Sequence, residues 1–234
     1  MFRFLFPQDK EISKEVFKLA FPVIVSNLSR VLMSMVDVAM VGRLGAEALA
    51  ATGMGAMLLW GALSLVLGIR TAVQTLASRR LGQKLDHEAG TAFHNGLLMA
   101  TIYALPVSLA GCLWAKDIIP FFIQDSIATP LAVDYTSIIF LSLLFSAYSF
   151  IFQGFYTGVE KTKIHMSVTV TSNLINVYLN AGLIYGSEGI QRFFFETAPS
   201  FSFLSSLWGW TTFPVLGVKG AAIATVIAST WMTL

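Results

Sequence analysis

The sequence predicts an all-α polytopic membrane protein, a bundle of about six helices. Charged residues make up 12% of the 234-residue chain and hydrophobic residues 56%, against about 25% charged in soluble domains. Several apolar stretches reach the ~20 residues that a helix needs to cross ~30 Å of hydrocarbon. Short loops carrying basic residues and glycine separate these stretches, which is the rhythm of helical hairpins.

The segment 1–16 is expected on the cytoplasmic side, ahead of a membrane bundle over 17–234. Its opening, "MFRFLFPQDKEISKEVF", has too short an apolar run before Lys10 and Glu11 for a signal peptide, so the first long helix must itself target the chain. The first span is expected from about Phe17 to Val41 and the second from about Ala48 to Ala77, with "GRLGAE" as the turn of a hairpin. A third, about Ala89 to Ala115, follows the basic loop "SRRLGQKLDHE"; a fourth, about Leu131 to Gly158, ends at "VEKTK". The fifth covers about Ile164 to Tyr185. The sixth opens at "GVKGAAIATVIASTWMTL", and the sequence stops about 18 residues in with no closing charge. That end is the one expected of a fragment or an interrupted gene product.

Loop charge sets the orientation. Nine basic residues (Arg3, Lys10, Lys14, Lys18, Arg79, Arg80, Lys84, Lys161, Lys163) fall on the N-terminal side, four (Arg43, Lys116, Arg192, Lys219) on the other, and Arg30 and Arg70 within spans. The positive-inside rule then puts the N-terminus in the cytoplasm, in a plasma (inner) membrane. The connection over 187–216 is long for a link without structure of its own. Phe193, Phe194, Phe195, Trp208 and Trp210 suit a segment lying at the outer interface. The alternative is a seventh short span, which Pro199, Gly209 and Pro214 argue against.

The stretch "VLMSMVDVAMVGRLG" places a carboxylate in the middle of the first span. An ionised Asp at a helix centre costs about 2.5 to 3.5 kcal/mol on insertion scales, so such residues face a bundle interior or a watery cavity. At 100° per residue, Asn27, Arg30, Ser34 and Asp37 fall within an arc of about 80°. Arg30 and Asp37 are two turns apart, so they pair only if the arginine bends along the helix. The fourth span carries Ser142, Ser146, Ser149, Gln153 and Tyr156 on one stripe, and the fifth carries Thr169, Asn173, Asn176 and Asn180. Single hydroxyls on such stripes are ordinarily interhelical hydrogen bonds. Three stripes together point to a solvated central cavity lined by Asn27, Arg30, Ser34, Gln153, Tyr156, Asn173, Asn176 and Asn180. Arg70 stands between snorkelling and a cavity role, and His94 reads as an interface hydrogen bonder.

Small residues mark helix contacts: Ala51 with Gly55 in the second span, and Gly217, Ala221, Thr225 and Ser229 in the sixth. Pro22 and Pro106 are sites for helix bending. A net charge of +2 with basic residues at helix ends gives no nucleic-acid surface. The single Cys112 excludes an internal disulfide and a CxxC metal site. No nucleophile is paired with a base at sensible spacing, so neither an enzyme nor an organic cofactor is expected.

The stretches "LAFPVIVSNLSRVLMSMVDVAMVGRLGAEALAATGMG", "QTLASRRLGQ", "FQGFYTGVEKTKIHMSVTVTSNLINVYLNAGLIYG" and "LGVKGAAIATVIAS" resemble, in order, the multidrug and toxic compound extrusion (MATE) transporters. The resemblance covers nearly the whole chain. It implies the N-terminal lobe of a twelve-helix transporter made of two six-helix bundles, so the partner is a missing C-terminal half or a second half bundle. It also implies a secondary antiporter in which small organic, often cationic, compounds leave as H⁺ or Na⁺ enters. Asp37 matches the family's first-helix carboxylate, implicated in ion coupling. Asn176 matches a family asparagine, and Thr225 a sixth-helix threonine near the same site. No metal is implied other than Na⁺ near Asp37, Asn176 and Asn180. Two positions depart from the pattern: Arg30 stands where other members can carry glutamine, and Asn180 where some have a second aspartate, so a two-carboxylate mechanism does not carry over. The long outer segment is a further departure. The alternative functions are a lipid-linked oligosaccharide flippase of the same superfamily, which calls for more cavity cations than Arg30 and Arg70, and an inactive half-transporter.

Overall fold

The computed structural model describes residues 10–197, 205–209 and 212–234. The described residues form eight α-helices and no strand: α1 (Lys10–Gly42), α2 (Ala46–Gly82), α3 (Asp86–Leu113), the single turn α4 (Ala115–Ile118), α5 (Ala128–Ile139), α6 (Ser142–Gly158), α7 (Thr162–Thr197) and α8 (Val218–Trp231). A 3-10 turn over Ile119–Phe121 continues α4. With α5 and α6 taken as one bent rod, and α4 as a surface turn, this is the expected six-rod bundle. α1, α2 and α3 are each long and apolar enough to cross a membrane, and the α5–α6 pair makes a fourth such span. α8 is apolar but has only 14 residues. The expected boundary between 16 and 17 falls inside α1, and residues 1–9 lie outside the described residues.

The expected fourth span is broken. α5 and α6 meet at 49°, although no proline or glycine lies between them. At the break the Phe140 carbonyl accepts from the Leu143 amide at 3.1 Å in a tightened turn and takes a second donor from another helix, the Ser108 hydroxyl of α3 at 2.7 Å. Beside it, Gly111 leaves room for the Phe140 ring, where a β-carbon would collide with it.

The expected fifth span corresponds to the first part of α7, which bends at Gly186 (φ 71°, ψ 168°). That left-handed φ is open to glycine at little cost. Beyond the bend the chain folds back on α7. The Phe213 amide donates to the Ser187 hydroxyl at 3.0 Å, and the Leu216 amide donates to the Leu183 carbonyl at 2.8 Å. α8 then runs antiparallel to α7, with Gly220 against Leu183, Thr225 bonded to Asn176 and Ala228 bonded to Ser172. The connection therefore starts and ends at one level, and the alternative of a seventh span does not hold.

Trp208 was expected at the interface but is buried. Its ring stacks on Tyr178 at 5.1 Å, its indole N–H donates to the Tyr178 carbonyl at 2.9 Å, and the Tyr178 hydroxyl donates to the Leu207 carbonyl at 2.9 Å. Two opposed hydrogen bonds draw the indole onto α7, a geometry no local pattern encodes. Trp210 and Pro199 lie outside the described residues, as do the side chains of Phe193, Phe194 and Phe195.

α2 is the central post, packed against α3, α5 and α6, while α7 holds α1 and α8. The core between them is aliphatic, with Leu63, Val66, Ala104, Leu143, Ala147 and Ile151 buried. α6 lies closest to α2 at Gly154 and Gly158, where a β-carbon would stand 2.6 Å from the Arg70 and Gln74 carbonyl oxygens respectively. On α8 the tightest approach is at Gly220 rather than at the expected Gly217, where an added β-carbon would meet only Leu44 Cδ1, at 3.8 Å. α1 turns Phe17, Phe21, Ile24, Leu28, Leu32 and Met35 outward, all exposed. Pro22 sits within α1 and Pro106 within α3, both without ending the helix.

Candidate functional site

Asp37 stands on the inward side of α1, opposite α7. Its carboxylate accepts a hydrogen bond from the Asn180 amide at 2.5 Å. The same amide donates to the Asn176 oxygen at 2.7 Å, and Asn176 in turn donates to the Thr225 hydroxyl at 3.4 Å. One turn further along α7, Asn173 donates to Ser29 of α1 at 2.7 Å. The three asparagines lie on one helical face because their spacing is three and four residues. α7 thus ties α1 and α8 together through amides, and all three asparagines are buried. The Asn173 and Asn180 side-chain oxygens have no partner among the described residues.

Two chambers adjoin this network. The larger, about 210 Å³, is lined by Arg30, Ser34, Asp37, Trp60, Phe150, Asn173 and Thr225, among others. The smaller, about 140 Å³, shares Ser34, Asp37, Tyr135 and Thr225 and adds Thr52 and Asn180. Asp37 therefore lines both chambers. Arg30 lines the larger one, its guanidinium carbon 5.1 Å from the centre of the Phe150 ring. The two charges are two turns apart on α1, about 10.5 Å, and make no ion pair. Arg80 pairs with Glu88 and Lys219 with Asp134, each at 3.1 Å and both at the surface.

Of the residues singled out from the sequence, Arg30, Ser34, Asp37, Asn173, Asn180 and Thr225 meet at these chambers, and Asn176 links Asn180 to Thr225. Three others lie elsewhere. Asn27 is exposed on α1, because it lies at the far edge of the polar arc and α7 covers only part of that arc. Tyr156 lines a separate cavity of about 490 Å³ with Phe152, His165 and Trp231, since it sits at the end of α6, beyond the chambers. Gln153 is 1% exposed with both amide atoms unpartnered, and it lines none of these three cavities. The other stripe residues of α6 serve as helix contacts: Ser146 donates to Ser229 at 3.4 Å and Ser149 to the Met232 sulfur at 3.2 Å.

Arg70 lies at the α2–α6 contact beside Gly154 rather than in either chamber. The His94 ring bonds the Gly90 carbonyl at 2.9 Å, a local helix contact. Ser29, Thr52, Trp60 and Tyr135 carried no periodic signal. His165, buried and 3.2 Å from Thr169, was findable: it sits one turn before the α7 ladder begins.

Comparison with known proteins places this geometry in a family. The MatE family matches residues 22–181. A multidrug resistance protein NorM from Burkholderia vietnamiensis is 24% identical over 92% of this chain and 42% of its own length. A probable multidrug resistance protein NorM from Pseudomonas aeruginosa is 30% identical over 76% of this chain and 36% of its own length. The outward-facing structure of a multidrug resistance MATE family transporter of the MOP superfamily superposes with a TM-score of 0.77 at 19% identity, covering 94% of this chain and 43% of that one. The chain thus spans about two-fifths of the length of the relatives it matches. With four apolar spans, an all-helical bundle and a family match over most of its length, this multi-pass membrane protein belongs to the MatE family.

Proposed function

We propose that this chain is the N-terminal lobe of a secondary antiporter that exports organic, often cationic, compounds in exchange for H⁺ or Na⁺, with Asp37 as the ion-coupling carboxylate. The observation that carries the reading is the position of Asp37: it lines both chambers, bonds the α7–α8 network through Asn180, and has no cationic partner. A carboxylate so placed binds either an organic cation or the coupling ion, and the two compete. A proton on Asp37 removes the charge that holds the cation. A sodium ion finds oxygens there of the kind it prefers, namely the Asp37 carboxylate and the unpartnered Asn180 oxygen. Either event weakens the charge-assisted bond between Asn180 and Asp37, which links the state of the ion site to the contact of α1 with α7. The proposed setting is the inner membrane with a cytoplasmic N-terminus, and the pathway is completed by a second six-helix bundle.

The experiment is dye uptake into everted vesicles carrying the full-length transporter, driven by an imposed H⁺ or Na⁺ gradient. Asp37→Asn abolishes ion-driven uptake, and the gradient that supports wild-type uptake identifies the ion. Undiminished uptake by Asp37→Asn removes Asp37 from the coupling role. A tag at the N-terminus is protected from external protease in intact spheroplasts if the orientation is as proposed.

A further inference from the structure

The bundle carries a groove on its flank that the transport reading leaves unused. α1 lends it Val36, Met40 and Arg43, spaced four and three residues apart, and α7 lends it Val177, Ala181 and Tyr185, spaced four apart. Each set lies on one helical face, turned about 100° from Asp37 on α1 and from the asparagine ladder on α7. Ile190, beyond the bend at Gly186, and Trp208 complete the lining of a cavity of about 330 Å³, a volume in the range of ligand pockets.

The polar tips of the two aromatic residues in this lining are engaged inside the protein. The Tyr185 hydroxyl donates to the Met40 carbonyl at 2.5 Å and the Trp208 indole N–H to the Tyr178 carbonyl at 2.9 Å, so both rings serve the groove as apolar wall. Among the described residues that line it, Arg43 is the only charged one. It is exposed and stands one residue past the end of α1, where the span leaves the hydrocarbon. Beside the groove Met35 and Val38 of α1 are exposed, an apolar surface of the kind that acyl chains cover. An apolar wall with one cation at its rim suits an acyl chain joined to an anionic head. A peptide segment suits it less, because its backbone amides need partners.

We infer that the groove between α1 and α7 holds a resident anionic phospholipid, with one acyl chain against Trp208 and the phosphate on Arg43. The guanidinium fork matches a phosphate, and one basic side chain at a membrane surface favours an anionic lipid about fivefold. The lipid is a fixture of the helix seam and not cargo, and the inference stands whichever way the bundle faces.

The test reads Trp208 itself. It is 9% exposed, so lipid surrounding the bundle does not reach it and a chain in the groove does. The full 234-residue chain is reconstituted in phosphatidylcholine bilayers with rising fractions of either phosphatidylglycerol or phosphatidylcholine carrying brominated acyl chains, which quench tryptophan on contact. Each protein is measured with and without Trp208→Phe, and the difference is the Trp208 signal. The expected result is half-quenching at about a fivefold lower fraction of brominated phosphatidylglycerol than of brominated phosphatidylcholine. Arg43→Gln makes the two curves coincide, and Arg43→Lys keeps most of the preference, because the charge remains. Ala39→Phe, which puts a ring into the lining of the groove, reduces quenching by both lipids. Absence of Trp208 quenching, equal curves in the wild type, a preference that survives Arg43→Gln, or quenching indifferent to Ala39→Phe overturns the inference. Quenching that is present in this chain and lost in a full-length transporter assigns the groove to the second bundle and also overturns it.

Discussion

Substituting Gly154 by alanine isolates one of the two close contacts of α6 with the α2 backbone. The added β-carbon would lie 2.6 Å from the Arg70 carbonyl oxygen and 3.0 Å from Arg70 Cγ. The first neighbour is backbone, so it cannot swing aside, and α6 must move away from α2 by the better part of an ångström. Overpacking of this kind costs about 1–3 kcal/mol. Alanine also gains about 1 kcal/mol over glycine in helix propensity, so the net loss is about 0–2 kcal/mol. Gly61 supplies the internal reference: it lies within α2, is exposed, and a β-carbon added there would meet no heavy atom within 4 Å, so Gly61→Ala keeps only the propensity gain. The difference between the two variants is then the contact itself, about 1–3 kcal/mol. Thermal unfolding in detergent reads it, with a thiol-reactive fluorophore reporting exposure of Cys112, the sole cysteine and half-buried in α3. At about 2–4 °C per kcal/mol, Gly154→Ala melts several degrees below Gly61→Ala. A Gly154→Ala protein that melts at or above Gly61→Ala refutes the claim that α6 and α2 touch backbone to backbone.

Three further outcomes are expected. Ser108→Ala removes the side-chain donor to the Phe140 carbonyl at the α5–α6 break, leaves it only the Leu143 amide, and lowers stability by about 1 kcal/mol in the same melt. Gly186→Ala forces a β-carbon into φ 71° and within 2.7 Å of Val215 Cγ2; it costs about 1–3 kcal/mol and is read as faster tryptic cleavage after the exposed Arg192. Asp125 accepts hydrogen bonds from the Ile127 and Ala128 amides at 2.9 and 2.7 Å, and the Ala128 bond, then the Ile127 bond, holds its carboxyl below the usual carboxylate range. A lowered value means that the cap is complete above about pH 4 and lost as pH falls through the folded value. Hydrogen-exchange protection of those two amides, corrected for intrinsic rates, is therefore flat from pH 5 to 8 and collapses in acid, and Asp125→Ala removes it at every pH.

The helices were legible because apolar length and loop charge are local signals. The α7 ladder was legible because three- and four-residue spacing puts Asn173, Asn176 and Asn180 on one face whatever they meet. What they meet was not legible: Ser29 and Thr225 are partners from other helices, chosen by helix rotation. The break at Phe140 escaped for the same reason, since the Ser108 hydroxyl that bonds the carbonyl there lies 32 residues earlier. Asn27 and Tyr156 fall outside the chambers because a stripe predicts direction but not how far the neighbouring helix extends to cover it. Trp208 was placed at an interface by residue type, whereas two backbone carbonyls decide its position.

The Asn180 amide spends both of its hydrogens on acceptors, the Asp37 and Asn176 oxygens. If the Asp37 oxygen it touches becomes a hydroxyl whose hydrogen points at the amide, Asn180 turns over to offer its own unpartnered oxygen. That oxygen then confronts the Asn176 oxygen, so Asn176 must turn over too. Its oxygen in turn faces Thr225, whose hydroxyl now donates to the Ala221 carbonyl at 3.0 Å and is free to swing toward it. A single proton on α1 is thereby copied, one reversal at a time, through α7 to α8, like a row of toggles thrown in sequence.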